Sequence, residues 1–187
     1  MEAFGKAFPD QDESMAYSNI GNAIGAFERK LLTHAPFDDY LKGDEKALTG
    51  GQKVGLNLFI TKGCTTCHNG MGVGGHMYQK RGLVKEWPTK DLGRFENTKN
   101  EADTYFFKVP SLCNITETGP YLHDGSVKSL EEMVSKMGEY QIGKTLNDEE
   151  VASVVEFLGS LKGRIDEEFI KVPEIPADGP DTPKGDS

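Results

Sequence analysis

Apolar residues gather in four stretches separated by polar and glycine-rich chain. In the first, Ile20, Ala23, Ile24, Phe27 and Leu31 recur at spacings of three and four, which puts them on one helix face. This predicts a helical segment from the start to about Tyr40, with Ser18 as an N-cap and Pro36 as its end. A second helix is predicted from Thr49, whose hydroxyl can cap, through Val54, Leu56, Leu58 and Phe59 to Gly63. A third starts after Ser129 and carries Met133, Val134 and Met137. The fourth has Asn147 or Asp148 as cap, Val151, Val154, Val155, Leu158 and Leu161 as its inner face, and Gly163 as its stop. Between residues 69 and 108 there is little periodicity, and six glycines (70, 72, 74, 75, 82 and 93) make it a long loop region. Structureless loops of that length are uncommon and tend to be functional. Residues 172–187 hold Pro173, Pro176, Pro180 and Pro183 among Asp and Gly, an extended tail. No strand series is apparent, so the expected class is mainly α with long loops.

Composition narrows the functions. The 187 residues suit one domain with extensions, and 36% hydrophobic residues allow a modest core. Lys and Arg number 21 against 30 Asp and Glu, a net charge of −9. That acidity argues against nucleic acid, whose phosphates need clustered basic residues. No apolar run is long enough to span a membrane. The N-terminus has neither the basic nor the apolar part of a signal peptide. Three cysteines are too few for a disulfide framework.

Two of the three cysteines lie in Gly63-Cys64-Thr65-Thr66-Cys67-His68, a C-x-x-C-H sequence. In a helical turn, positions i, i+3 and i+4 share a face. Cys64 and Cys67 could then both add to the vinyl groups of one porphyrin, with His68 aimed at its iron. Three other readings stand beside this one. A redox dithiol would normally sit in a βαβ context, which is absent. A zinc site built with Cys113 or another His lacks a second close ligand pair. The third is a plain disulfide. Covalent haem c is favoured, because His68 follows Cys67 directly and a porphyrin would complete a modest core.

A haem iron needs a sixth ligand or an open site. His34, His76, His123, Met71, Met77, Met133 and Met137 are the candidates. Met137 precedes a glycine-flanked loop just before the last helix, where it could reach the opposite haem face. Packing is the competing role for any lone Met. His/Met ligation would give an electron-transfer haem without direct substrate binding.

Eight blocks together resemble one family, the bacterial dihaem cytochrome c peroxidases with their methylamine-utilisation relatives. They are residues 19–37 (NIGNAIGAFERKLLTHAPF), 40–47 (YLKGDEKA), 63–70 (GCTTCHNG), 74–82 (GGHMYQKRG), 91–98 (DLGRFENT), 107–114 (FKVPSLCN), 119–127 (GPYLHDGSV) and 137–143 (MGEYQIG). The resemblance covers roughly residues 1–163. It implies the C-terminal, high-potential half of such an enzyme: a class I cytochrome c-like haem domain that receives electrons from a small cytochrome c or copper protein. In class I cytochromes the first and last helices cross at a small residue and an aromatic; Gly55 and Phe59, facing Phe157 and Leu161, suit that contact. The implied layout is an N-terminal helical segment (1–47), a haem domain (48–163) and a tail (164–187).

By the same resemblance Cys64 and Cys67 carry one covalent haem c, His68 is the proximal ligand and Met137 the distal one. His123 is placed near the haem and the domain interface, not as a ligand. Carbonyls around Thr118 and Pro120 resemble part of an interdomain calcium site. Arg94 is a candidate propionate partner beside its reading as a surface Arg. Trp87 either packs beside the haem or fills a loop.

Two departures stand out. There is one C-x-x-C-H rather than two, so the peroxide-reducing haem domain is expected to be missing. Cys113 stands where the family usually has Arg; it reads as a small buried residue, though a free thiol is open to oxidation or dimerisation, so a homodimer stands among the expected assemblies. The expected function is the electron-entry domain of a peroxide-reducing enzyme. A stand-alone monohaem carrier is the alternative, and a zinc-bound interaction domain is the third reading. The acidic charge could steer a basic donor. Haem attachment implies the periplasm, and the absent signal peptide then points to a trimmed chain.

Overall fold

The structure, a computed structural model, describes residues 2–174 together with Ala177 and Gly179. Pro176, Pro180 and Pro183 of the expected tail lie outside the described residues; Val172 and Pro173 are exposed and outside regular structure. Two compact units are present: Thr33–Arg164, and the residues before and after it.

In the second of these units, α1 (Glu2–Ala7) is a short helix with a Glu2–Lys6 ion pair one turn apart. α2 (Tyr17–Glu28) carries the first apolar series, and the structure corrects two expectations about it, its start and its end. The helix begins one residue earlier than Ser18, with Ala16 at the cap position and no side-chain cap. It also stops at Glu28, well short of Pro36. The stripe itself is not core: Ile20, Ile24, Phe27 and Leu31 are all exposed, whereas Asn19 is 1% exposed. The Asn19 amide donates to the carbonyl of Ser14 at 3.1 Å and to Gln11 Oε1 at 3.4 Å, so it ties the preceding loop onto the helix. Phe27 stacks on Phe169, ring centres 5.0 Å apart.

The larger unit holds the candidate site. Pro36 opens α3 (Pro36–Leu41) instead of ending a helix, because proline at the first helical position loses no hydrogen bond. Asp38 completes that start by accepting from the Ala35 amide at 2.7 Å. α4 (Gly50–Lys62) begins as expected at Thr49. Its Oγ1 accepts from the Gln52 amide, and Gln52 Oε1 accepts from the Thr49 amide, both at 3.0 Å. Gly63 ends it in the left-handed region at φ 100°, a conformation glycine adopts without steric cost.

The long loop region is not entirely without strands. β1 (Tyr78–Lys80) and, after the short α5 (Phe95–Thr98), β2 (Phe106–Lys108) pair antiparallel, Gln79 opposite Phe107. Three residues each are too few to show an alternating pattern in the sequence. α6 (Leu130–Lys136) is capped by Ser129, whose Oγ accepts from the Glu132 amide at 3.1 Å. It runs on into a π-helical turn, Met137–Gln141, where an irregular loop was expected. α7 (Asp148–Gly159) is capped by Asn147 with Glu150 reciprocating. It ends at Gly159, before the expected stop at Gly163, whose amide instead donates to Asn114 Oδ1 at 2.9 Å.

The mainly α architecture centres on the crossing of α4 and α7. Phe157, 1% exposed, meets Phe59 and Phe37 at ring-centre distances of 5.3 Å each. Trp87, Leu112, Tyr121, Val127, Leu130, Val154, Leu158 and Leu161 complete the cluster. Each fully buried side chain of this kind contributes about 1.5–3 kcal/mol relative to exposure.

Candidate functional site

The αL end of α4 sets the site. Gly63 turns the chain into a 3₁₀ turn, Cys64–Thr66, and the Cys67 and His68 amides both donate to the Cys64 carbonyl, at 3.3 and 3.0 Å. Cys64, Cys67 and His68 therefore follow one another round a single tight turn. No disulfide forms; both cysteines are free and half-buried. Burial raises the pKa of the Cys64 thiol, with nearby Lys144 opposing.

His68 packs against Phe59, ring centres 6.3 Å apart. Its Nδ1 is buried and has no hydrogen-bond partner. Burial lowers the imidazole pKa, which favours the neutral ring a metal requires; the main-chain oxygens of Val73 and Pro110 oppose that shift without reaching hydrogen-bond geometry. Gly74 makes room for this arrangement at φ 120°: a β-carbon on it would stand 2.5 Å from the Pro110 oxygen and 3.1 Å from His68 Nδ1.

Cys64 and Met137 are only partly buried, yet both pack on the same apolar cluster. Val73, Met133, Val134 and Tyr140 pack on it in the same half-covered way. The residues present fit a c-type haem. Two unpaired thiols sit on one turn, a neutral-leaning imidazole with a buried free nitrogen adjoins them, and half-covered apolar side chains ring the core. Among the described residues, no group of three or more His, Cys, Asp and Glu assembles that could hold a metal ion.

The other candidates fall in different surroundings. Met71 is 85% exposed, and His76 is exposed as well. His34 Nε2 meets Asp39 at 2.7 Å. Met77 is half-buried at the mouth of β1, where its carbonyl accepts from Val109. His123 Nε2 lies 2.6 Å from Asp91 Oδ2, and its ring stacks on Phe107 at 5.2 Å. Thr118 and Pro120 are both exposed, joined through Gly119 by a cis peptide at Pro120. Cys113 is half-buried, its thiol 3.6 Å from the Gly72 carbonyl. Trp87 is buried against Tyr140, ring centres 4.8 Å apart.

Arg94 Nε lies 3.4 Å from Asp103, and its guanidinium covers the Tyr78 ring at 4.7 Å. Arg94 and Tyr78 line a cleft of about 450 Å³ with Phe106, Phe107 and Lys108. A second arginine, Arg81, was given no role by the sequence. It is 8% exposed, and its Nε and Nη2 have no hydrogen-bond partner. Only the β1–β2 pairing, invisible in the sequence, brings it to Phe107.

Two family profiles match different parts of the chain. A profile of the di-haem cytochrome c peroxidase family matches residues 1–46, and the cytochrome c profile matches residues 53–162. The chain is 42% identical over 190 residues to the cytochrome c551 peroxidase of Pseudomonas aeruginosa, covering 98% of this chain and 54% of that protein. It is 44% identical over 151 residues to the cytochrome c peroxidase Ccp of Escherichia coli, covering 78% and 32%. With the methylamine utilization protein MauG of Methylophilus methylotrophus it shares 30% identity over 168 residues, 81% of this chain and 49% of that one. Among solved structures, a MauG-like protein associated with microbial copper homeostasis superposes with a TM-score of 0.72 at 27% identity, covering 92% of this chain and 60% of that one. The chain thus spans about half the length of several of these relatives. No helix among the described residues is long and apolar enough to cross a membrane.

Proposed function

Because this chain belongs to the di-haem cytochrome c peroxidase family and carries a cytochrome c domain at residues 53–162, we propose that it is the electron-entry haem domain of a peroxide-reducing enzyme. The observation that carries this reading is the joint packing of Cys64 and Met137 on one apolar cluster, with His68 against Phe59 of the same cluster. Those contacts bring Cys64, His68 and Met137 to one core, which supports reading them as attachment point, proximal ligand and distal ligand.

Cys64 and Cys67 would hold the porphyrin, each S–H adding across one vinyl double bond to leave a thioether. His68 would bind the iron through Nε2, its Nδ1–H facing the carbonyls of Val73 and Pro110, either of which can accept a hydrogen bond from it once the ring is fixed. Met137, at the head of the π turn, would supply the sixth ligand. When bound, the haem supplies one-electron exchange between ferrous and ferric iron. The chain then does three things. It would keep water from the iron, hold it with His68 and Met137 so that peroxide does not bind, and present an acidic surface to a basic donor.

Peroxide reduction would occur at a second haem domain outside these 187 residues. Thr118 and Pro120 would lend carbonyls to a calcium ion between the two. The donor would be a small cytochrome c or copper protein, and the compartment the periplasm, where haem is attached. The test is to mature the chain in a haem-attaching periplasm and record its pyridine haemochrome spectrum, its donor oxidation and its peroxide turnover. One covalent haem, rapid exchange with a small redox donor and negligible peroxide turnover are expected. Robust peroxidase activity from the six-coordinate chain would refute the division of labour, and absence of covalent haem would refute the site.

A further inference from the structure

We propose that Arg81 is the anchor for a haem propionate, a role that rests on the haem reading above. Arg81 is 8% exposed, and no protein group accepts from its Nε or Nη2. A buried guanidinium without an acceptor is strongly unfavourable, so the fold retains it for a partner that the chain does not supply. Nε and Nη2 lie on one edge of the planar guanidinium. That edge presents two parallel N–H donors, the pattern that takes a carboxylate side-on.

The nearby carboxylates are engaged elsewhere. Asp91 accepts from the Gly93 amide at 2.7 Å and pairs with His123, and Asp124 accepts from the Ser126 amide at 3.1 Å. Burial pulls the guanidinium pKa down, and these two acids only partly hold it up. The remaining faces of Arg81 are aromatic: its guanidinium carbon lies 4.3 Å from the Phe107 ring centre and 5.6 Å from that of Trp87. The fork is thus fixed in orientation by rings that cannot satisfy it.

Its position relates it to the site. Trp87 packs on Tyr140 of the Met137 turn. The main chain on either side of Arg81 is held by one residue of that turn: Gln141 donates to the Lys80 carbonyl at 2.8 Å and accepts from the Gly82 amide at 3.0 Å. A porphyrin seated on the Met137 side would bring two carboxylates with it, and among the described residues no acceptor reaches this edge. Arg94, put forward from the sequence for this role, already faces Asp103.

The experiment compares the haem-loaded wild type with Arg81→Gln and Arg81→Lys. The readouts are haem content by pyridine haemochrome, reduction potential, and the propionate-bending mode in the resonance Raman spectrum. Arg81→Gln should retain covalent haem, lower the potential because a positive charge beside the iron disfavours its oxidised form, and shift the propionate mode. Arg81→Lys keeps the charge but loses the two-donor edge. It should shift the Raman mode as well, with a smaller change in potential, and it decides the matter if Arg81→Gln does not fold. An unshifted propionate mode in a folded, haem-loaded variant overturns the Arg81 role alone. Wild type without covalent haem overturns it together with the haem reading.

Discussion

Gly55 of α4 lies so close to Ser153 of α7 that a β-carbon placed on it would stand 1.9 Å from the Ser153 carbonyl oxygen and 2.8 Å from Phe157 Cβ. Neither contact can be relieved by a rotamer change, since one is backbone and the other a fixed Cβ. Gly55→Ala is expected to force the helices apart and cost about 1–3 kcal/mol or more in urea unfolding. Gly50→Ala, in the first turn of the same helix with nothing within 4 Å, should be neutral or stabilising by up to about 1 kcal/mol. Equal effects at the two sites would show that the crossing tolerates separation.

The two methionines of the α6 region separate ligation from packing. Both Met133 and Met137 pack on the core, so burial does not distinguish them. Met137→His is expected to lower the reduction potential strongly, because imidazole stabilises ferric iron better than a thioether does. Met133→Leu should barely move it. Equal shifts, or the reverse order, would remove Met137 from the iron.

Gly74 offers a probe of the proximal side. A methyl group there meets the Pro110 oxygen and His68 Nδ1 together, and the backbone at φ 120° already disfavours any side chain. Gly74→Ala should reorient the imidazole and reduce the fraction of six-coordinate haem seen in the visible spectrum. A wild-type spectrum would show that the Pro110 segment moves without the ring.

Acid should expose the link between the start of α7 and the end of α4. Glu150 is held below the ordinary value of 4.5 first by its hydrogen bond from Lys62 and then by the Asn147 amide. A carboxylate with a depressed folded pKa stabilises above its unfolded pKa and loses that contribution as pH falls through the folded one. Wild type should therefore melt above Glu150→Gln at neutral pH, and the gap should close below about pH 4.5. A gap independent of pH would show that the charge of the carboxylate plays no part in it.

Local chemistry was legible where it stays local. Thr49, Ser129 and Asn147 each cap the helix the sequence assigned to them, because a side chain two or three residues away is all the interaction needs. The C-x-x-C-H turn was legible for the same reason, whereas the small residue at the α4–α7 crossing was legible only through the family resemblance. The stripe on α2 was a true helix signal, but periodicity says nothing of what covers a face, and Asn19 rather than Ile24 is buried. The π turn after α6 left no trace, since Met137 and Gly138 suit a loop equally well. Arg81 was illegible for a deeper reason. One of its ring neighbours, Phe107, arrives only through strand pairing, and the partner proposed for it is not an amino acid.

Gln141 grips the chain on both sides of Arg81, one hydrogen bond through its amide and one through its oxygen. The π turn that presents Met137 cannot swing outward while both bonds hold. Each excursion of that turn must therefore release the Gly82 amide to solvent at the same moment. Deuterium uptake at Gly82 then becomes a clock for the opening of the Met137 side, readable in the resting protein without any electron being transferred.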